Sequence, residues 1–143
     1  MIDRFQSFVT GITECYRFIQ RIKSSEMTEL GLKGAHVMCL FFLHRHPEGL
    51  TAAQLCRLCA EDKAAISRNI ATLQQRGYLT ASGRKYRAAL VLTPAGTQIA
   101  EQVDGLICQW VGVGGEGLSD EERAAFYHTL EHIADNLRRN FEH

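Results

Sequence analysis

The residues best placed to do chemistry cluster between positions 51 and 93. Lys63, Ala64, Ser67, Arg68 and Asn69 fall within two helical turns. An arginine can bond a guanine edge bidentately, and an outward asparagine can do the same with adenine. A serine bonds a phosphate or a base, and an alanine can touch a thymine methyl. Thr51 precedes another helical pattern, where a hydroxyl and free amides can meet a phosphate. Arg84, Lys85 and Arg87 follow on a short basic segment suited to phosphates or a minor groove. This is the chemistry of nucleic-acid contact.

Two other groupings invite different chemistry. Cys56 and Cys59 form a C-x-x-C, but no second pair accompanies it and it lies inside a helical pattern. Packing is the favoured reading over metal or redox use. Cys15, with Tyr16 and Arg17 beside it, reads first as a small buried hydrophobe and second as a candidate redox thiol. His44 and His46 flank a helix end, and His128 and His132 stand at i, i+4, a spacing able to hold zinc. These histidines read as solvated, and no metal or cofactor is expected. No G-x-S-x-G, phosphate-binding loop, dinucleotide fingerprint or paired carboxylates appear, so no enzyme is expected.

The elements that must position these groups are legible from local rules. Thr51-Ala-Ala-Gln54 has capping-box spacing, and Leu55, Leu58 and Cys59 follow on one apolar face. Asp62 can cap a second helix whose inner face is Ile66, Ile70 and Leu73. Gly77 ends it. Tyr78-Leu79-Thr80 and Ala89–Leu92 read as strands around the basic turn, and Thr93-Pro94 starts another helix. That order is a helix-turn-helix followed by a β-wing, the frame that carries a helix into a DNA major groove.

The flanks are helical. Phe5, Phe8, Ile12, Cys15, Tyr16, Ile19 and Ile22 form an amphipathic stripe over residues 2 to about 24. A joint at Gly31–Gly34 precedes a nearly all-apolar helix from Ala35 to His46. The helix after Pro94 is expected to reach about Trp110, where the glycines of 112–117 interrupt it as a loop. Ser119 and Glu122 form another capping box, and Phe126, Leu130, Ile133, Leu137 and Phe141 make a terminal stripe.

Charge separates along the chain. Net charge is zero over 143 residues, yet from Thr51 to Thr93 seven cations face two anions, leaving +5. From Pro94 to the end three cations face nine anions, leaving −6. A basic middle and an acidic tail suit one face for phosphate and another turned away from it. Five cysteines, no apolar run of membrane-spanning length and no signal-like start point to a reduced, cytoplasmic protein that does not enter a membrane.

The segment resembles the winged helix-turn-helix of the MarR family of transcriptional regulators. The matching residues are Leu50-Thr51, Leu55, Asp62-Lys63-Ala64-Ala65-Ile66-Ser67-Arg68, Leu73, Arg76-Gly77-Tyr78, Arg87 and Leu92-Thr93-Pro94-Ala95-Gly96. They cover about a third of the chain, and only their order and spacing together are specific. MarR-like wings usually carry Asp-x-Arg; Lys85-Tyr86-Arg87 stands there instead. The resemblance implies a mainly α fold with a small β-wing. Residues 32–96 would be the DNA-binding lobe, and 1–30 with 97–143 a helical dimerisation lobe. It implies a homodimer on a palindromic double-stranded operator, a repressor role, and a small-molecule effector cleft near the first, second and fifth helices. The alternatives are a redox-sensing regulator using Cys15, and an interaction module that has lost DNA binding.

Overall fold

The computed structural model describes residues 1–83 and 88–141. Among the described residues six helices and two strands follow in order: α1 (Ile2–Glu29), α2 (His36–Arg45), α3 (Ala52–Cys59), α4 (Lys63–Gln75), β1 (Leu79–Ser82), β2 (Ala89–Leu92), α5 (Pro94–Gly114) and α6 (Asp120–Phe141). The chain divides into two compact units, Met1–Leu106 and Ile107–His143, with α5 continuous across the division.

Local chemistry sets the joints. The Thr51 hydroxyl accepts from the Gln54 amide at 3.2 Å, and the Gln54 side chain accepts from the Thr51 amide at 2.8 Å. Two donors that helix geometry leaves orphaned at the start of α3 are thereby satisfied. Asp62 accepts from the Ala65 amide at 2.7 Å and starts α4. Between them Ala60 turns the chain at φ 52°, a left-handed conformation for a residue that carries a Cβ.

Gly77, at φ +75°, closes α4 in a Schellman arrangement: its amide donates to Gln74 O and that of Tyr78 to Leu73 O. Thr93 then joins three elements. Its amide donates to Tyr78 O at 3.0 Å, its hydroxyl to Gly77 O at 2.6 Å, and the same hydroxyl accepts from the Gly96 amide at 3.0 Å. Gly96 is obligatory in this geometry, because a Cβ there would lie 1.9 Å from Tyr78 O.

The core of the first unit draws on every element around the helix-turn-helix. Leu40 and Leu43 of α2, Leu55 of α3, Ile66 and Leu73 of α4, Leu79 and Leu90 of the strands, and Ala100 and Val103 of α5 are buried. Each large side chain removed from water contributes roughly 1.5–3 kcal/mol. Strands β1 and β2 pair antiparallel with Leu79 opposite Leu92 and Ser82 opposite Ala89. Leu50 adds an isolated bridge to Leu90 on the other edge.

Several expectations change. Helix α1 runs a full turn past Ser24, because Met27 is apolar and completely buried. Leu58 is exposed, and α3 instead turns Cys56 and Cys59 partly inward beside Leu55. Helix α5 continues beyond Trp110 through Gly112 to Gly114, so the glycine loop is shorter than its composition suggests. His44 is not simply solvated: its Nδ1 lies 2.9 Å from Asp104 of α5, whose other oxygen accepts from Arg45 at 3.0 Å.

In the second unit Ser119 and Glu122 form the reciprocal capping box at 2.8 and 3.2 Å. Arg123 donates to Gly115 O at 2.7 Å. No residue of α6 is buried. No described helix is long and apolar enough to cross a membrane.

Candidate nucleic-acid interface

Helix α4 has two faces of opposite character. Ile66, Asn69 and Leu73 are buried, spaced at three and four residues on the side that packs on α2, α3 and β1. Lys63, Ala64, Ser67 and Arg68 are exposed. Positions 63 and 67, and 64 and 68, are i, i+4 neighbours, so the four side chains form one patch over the first turn and a half. The patch offers two cations, a hydroxyl and a methyl. No ion pair engages Lys63 or Arg68 among the described residues.

Asn69 corrects the expectation of an adenine contact. It is only 8 % exposed, and its amide donates to Ala35 O at 3.2 Å and toward Cys39 Sγ at 3.9 Å. It ties α4 to the start of α2. The signal is present in the sequence: Asn69 lies three residues after Ile66 and four before Leu73, on the inner stripe. Thr51 is half-buried and serves α3 as its cap. Arg84, Lys85 and Arg87 lie outside the described residues.

The cysteines divide. Cys59 shares a hydrogen bond with Cys39 of α2, and that bond together with burial pushes the Cys59 thiol up. The partner of Cys59 is thus a buried cysteine of another helix, which is packing rather than a C-x-x-C site. Cys15 is exposed, which corrects the favoured reading of it as a small buried hydrophobe. The adjacent Arg17 sits 3.9 Å from Glu14 and 5.8 Å from the Phe18 ring centroid. His46 pairs with Glu48 at 2.8 Å, while His128 and His132 are exposed.

Sequence reasoning missed one group of residues. Lys33 and His36, from the α1–α2 joint, line the same cavity as Arg68 and Arg76 of α4. His36 is 4 % exposed, and its Nδ1 accepts from the Lys33 amide at 3.0 Å. Burial, and after it the charges of Arg76 and Lys33, hold its pKa below the ordinary histidine value. No periodicity links residues so far apart in the chain, so only the fold could bring them together.

Comparison with known proteins follows the same outline. Residues 30–87 match the model of the MarR family. A MarR transcriptional regulator from Methanosarcina mazei superposes with a TM-score of 0.81 at 20 % identity, over 95 % of this chain and 92 % of that one. One from Silicibacter pomeroyi gives 0.80 at 24 % identity, over 89 % and 87 %. One from Listeria monocytogenes, solved in complex with a 26mer DNA, gives 0.80 at 20 % identity, over 92 % and 89 %. At these identities the superpositions establish the fold, and the family match lies on the segment that holds α2, α3, α4 and the start of the wing. Residues 30–87 match the MarR-family model, and the chain around them has a mainly helical fold similar to that of the solved MarR-family transcriptional regulators.

Proposed function

We propose that the protein is a sequence-specific, double-stranded-DNA-binding transcriptional regulator of the cytoplasm: a homodimeric repressor that a small-molecule effector releases. The observation that carries the reading is the two-faced α4. Its inner face is fixed by core packing, while Lys63, Ala64, Ser67 and Arg68 stand together in solvent at its N-terminal end. Recognition helices contact base edges with this part of the helix. Arg68 is the guanine reader, Ser67 and Ala64 set neighbouring contacts, and Lys63 holds phosphate. Thr51, at the start of α3, and the basic residues Arg84, Lys85 and Arg87 add phosphate contacts.

The homodimer rests on bare apolar surface. Ile2, Phe5, Phe8 and Ile12 of α1 and Phe126, Leu137 and Phe141 of α6 are exposed in the single chain. Two copies related by a twofold axis would cover these residues and present two α4 helices to half-sites one helical turn apart. Effector release requires a ligand that favours a state with the wrong spacing between those helices.

Fluorescence anisotropy on DNA from upstream of the protein's own gene tests this. The titration is run at several salt concentrations beside a scrambled duplex. The expected result is salt-dependent binding of two protomers per site with clear preference over the scramble. Arg68→Ala should cost about 1–3 kcal/mol and relax one position per half-site, whereas Lys85→Ala should mainly flatten the salt slope, by about 1. Absence of preference, or of binding at low salt, overturns the reading in favour of a protein-interaction role.

A further inference from the structure

A cavity of ≈ 590 Å³ opens within the first unit between the α1–α2 joint, the start of α2 and one side of α4. That volume lies in the range of small-molecule sites. Lys33, Arg68 and Arg76 line it against a single carboxylate, Glu61, which leaves a surplus of two positive charges. None of the three cations is ion-paired among the described residues. The Arg76 guanidinium lies against Gly31, where a Cβ would come 3.1 Å from it. The glycine leaves room for that side chain.

His36 supplies the second, independent observation. Its side chain is almost wholly buried, and its Nδ1 accepts from the Lys33 amide. The ring proton therefore resides on Nε2. No hydrogen bond from that N–H is made among the described residues, and His36 is part of the cavity wall. A ring donor without an acceptor and three cations without counter-ions on one cavity wall form the arrangement that a bound anion completes. The Thr72 hydroxyl lines the same wall. Glu61 makes each charge beyond two progressively less favourable, which disfavours polyphosphates.

We propose that this cavity binds a small dianion, a phosphate monoester or a dicarboxylate. Arg76 and Lys33 neutralise it, and the His36 Nε2–H bonds one of its oxygens. Resting on the DNA reading above, occupancy also engages Arg68 and so lowers affinity for the operator. The cavity would then report a metabolite directly to the recognition helix.

The test begins on protein without DNA. Thermal unfolding and calorimetric titration are run with inorganic phosphate and with succinate, each against sodium chloride at equal ionic strength. A saturable rise in Tm with either probe is expected, beyond the chloride control. Arg76→Gln and Lys33→Gln, both at exposed side chains, should each weaken it roughly tenfold or more, the scale of a charge-assisted hydrogen bond. Phosphate acting alone identifies the monoester class, and succinate acting alone the dicarboxylate class. No saturable rise from either probe, or an undiminished one in the double variant, overturns the site. Operator anisotropy with the effective probe then reads the coupling. Weakening beyond the ionic-strength effect in the wild type, reduced in Arg76→Gln, supports it; weakening that follows ionic strength alone overturns it. Because the thermal measurement contains no DNA, it decides for or against the cavity even where the DNA reading fails.

Discussion

Helices α4 and α6 are both amphipathic, and they dispose of their apolar residues in opposite ways. Helix α4 buries Ile66 and Leu73 within its own chain and keeps a polar patch outside. Helix α6 is nine residues longer and buries none; Leu137 is 52 % and Phe141 83 % exposed. Two sources of order are thereby separated. The helix-turn-helix is held by contacts internal to the chain. The terminal helix carries an apolar stripe whose covering surface, on the proposed reading, is a second copy.

A pair of truncations puts this contrast under the most strain. Leu40→Ala, at a fully buried site of α2, should lower the unfolding free energy by about 2–5 kcal/mol. The loss should be the same at every protein concentration. Leu137→Ala should cost less, and its cost should shrink on dilution toward nothing where both proteins are monomeric, as expected where a subunit contact is lost. Denaturant titrations at two concentrations compare them; equal, concentration-independent losses would erase the distinction. Next comes Gly96→Ala, which places a methyl on Tyr78 O and should cost about 3 kcal/mol, the upper end for overpacking. The same substitution at Gly105, with open space around it, should be mild or stabilising.

Smaller effects are expected within the helix-turn-helix itself. Asp62→Ala removes the cap that holds the Ala65 amide and should cost about 1 kcal/mol in thermal unfolding, while Asp62→Asn should retain most of it. The smallest is a pH effect. Folding disfavours the charged form of His36, so the unfolded chain binds that proton at higher pH than the folded one does. Its contribution is complete above the ordinary value of 6.5 and is lost as pH falls below it. Denaturation midpoints at about pH 8 and about pH 5.5 should differ less in His36→Gln than in the wild type.

What the sequence made legible were features that residues a few positions apart can specify. Thr51 with Gln54, Asp62, Gly77 and Ser119 with Glu122 all act through neighbouring amides, and the structure uses each as its spacing implies. The two strands and the outward set Lys63, Ala64, Ser67 and Arg68 on α4 follow from the same short-range logic. The misreadings arise where distant packing decides. Ser24-Ser25 resembles a helix end, yet a pocket for Met27 carries α1 onward. Ala60 adopts a left-handed turn without the glycine that would announce it, at a cost of roughly 1–2 kcal/mol that the surrounding α3–α4 packing overcomes. His44 finds Asp104 sixty residues away, and the Lys33, His36 and Arg76 cluster exists only because the α1–α2 joint folds against α4.

The bridge between Leu50 and Leu90 bears on the order in which the chain assembles. The two residues exchange both backbone hydrogen bonds, at 3.1 and 2.8 Å, across a separation of forty residues. A two-stranded hairpin is marginal by itself in water. The third backbone partner arrives only when the intervening chain, with α3 and α4 inside it, has closed a long loop. Such closure is opposed by entropy and rewarded late. The helices can therefore nucleate from local contacts, while β1 and β2 become secure only at the end of folding, once the scaffold that will carry them already exists.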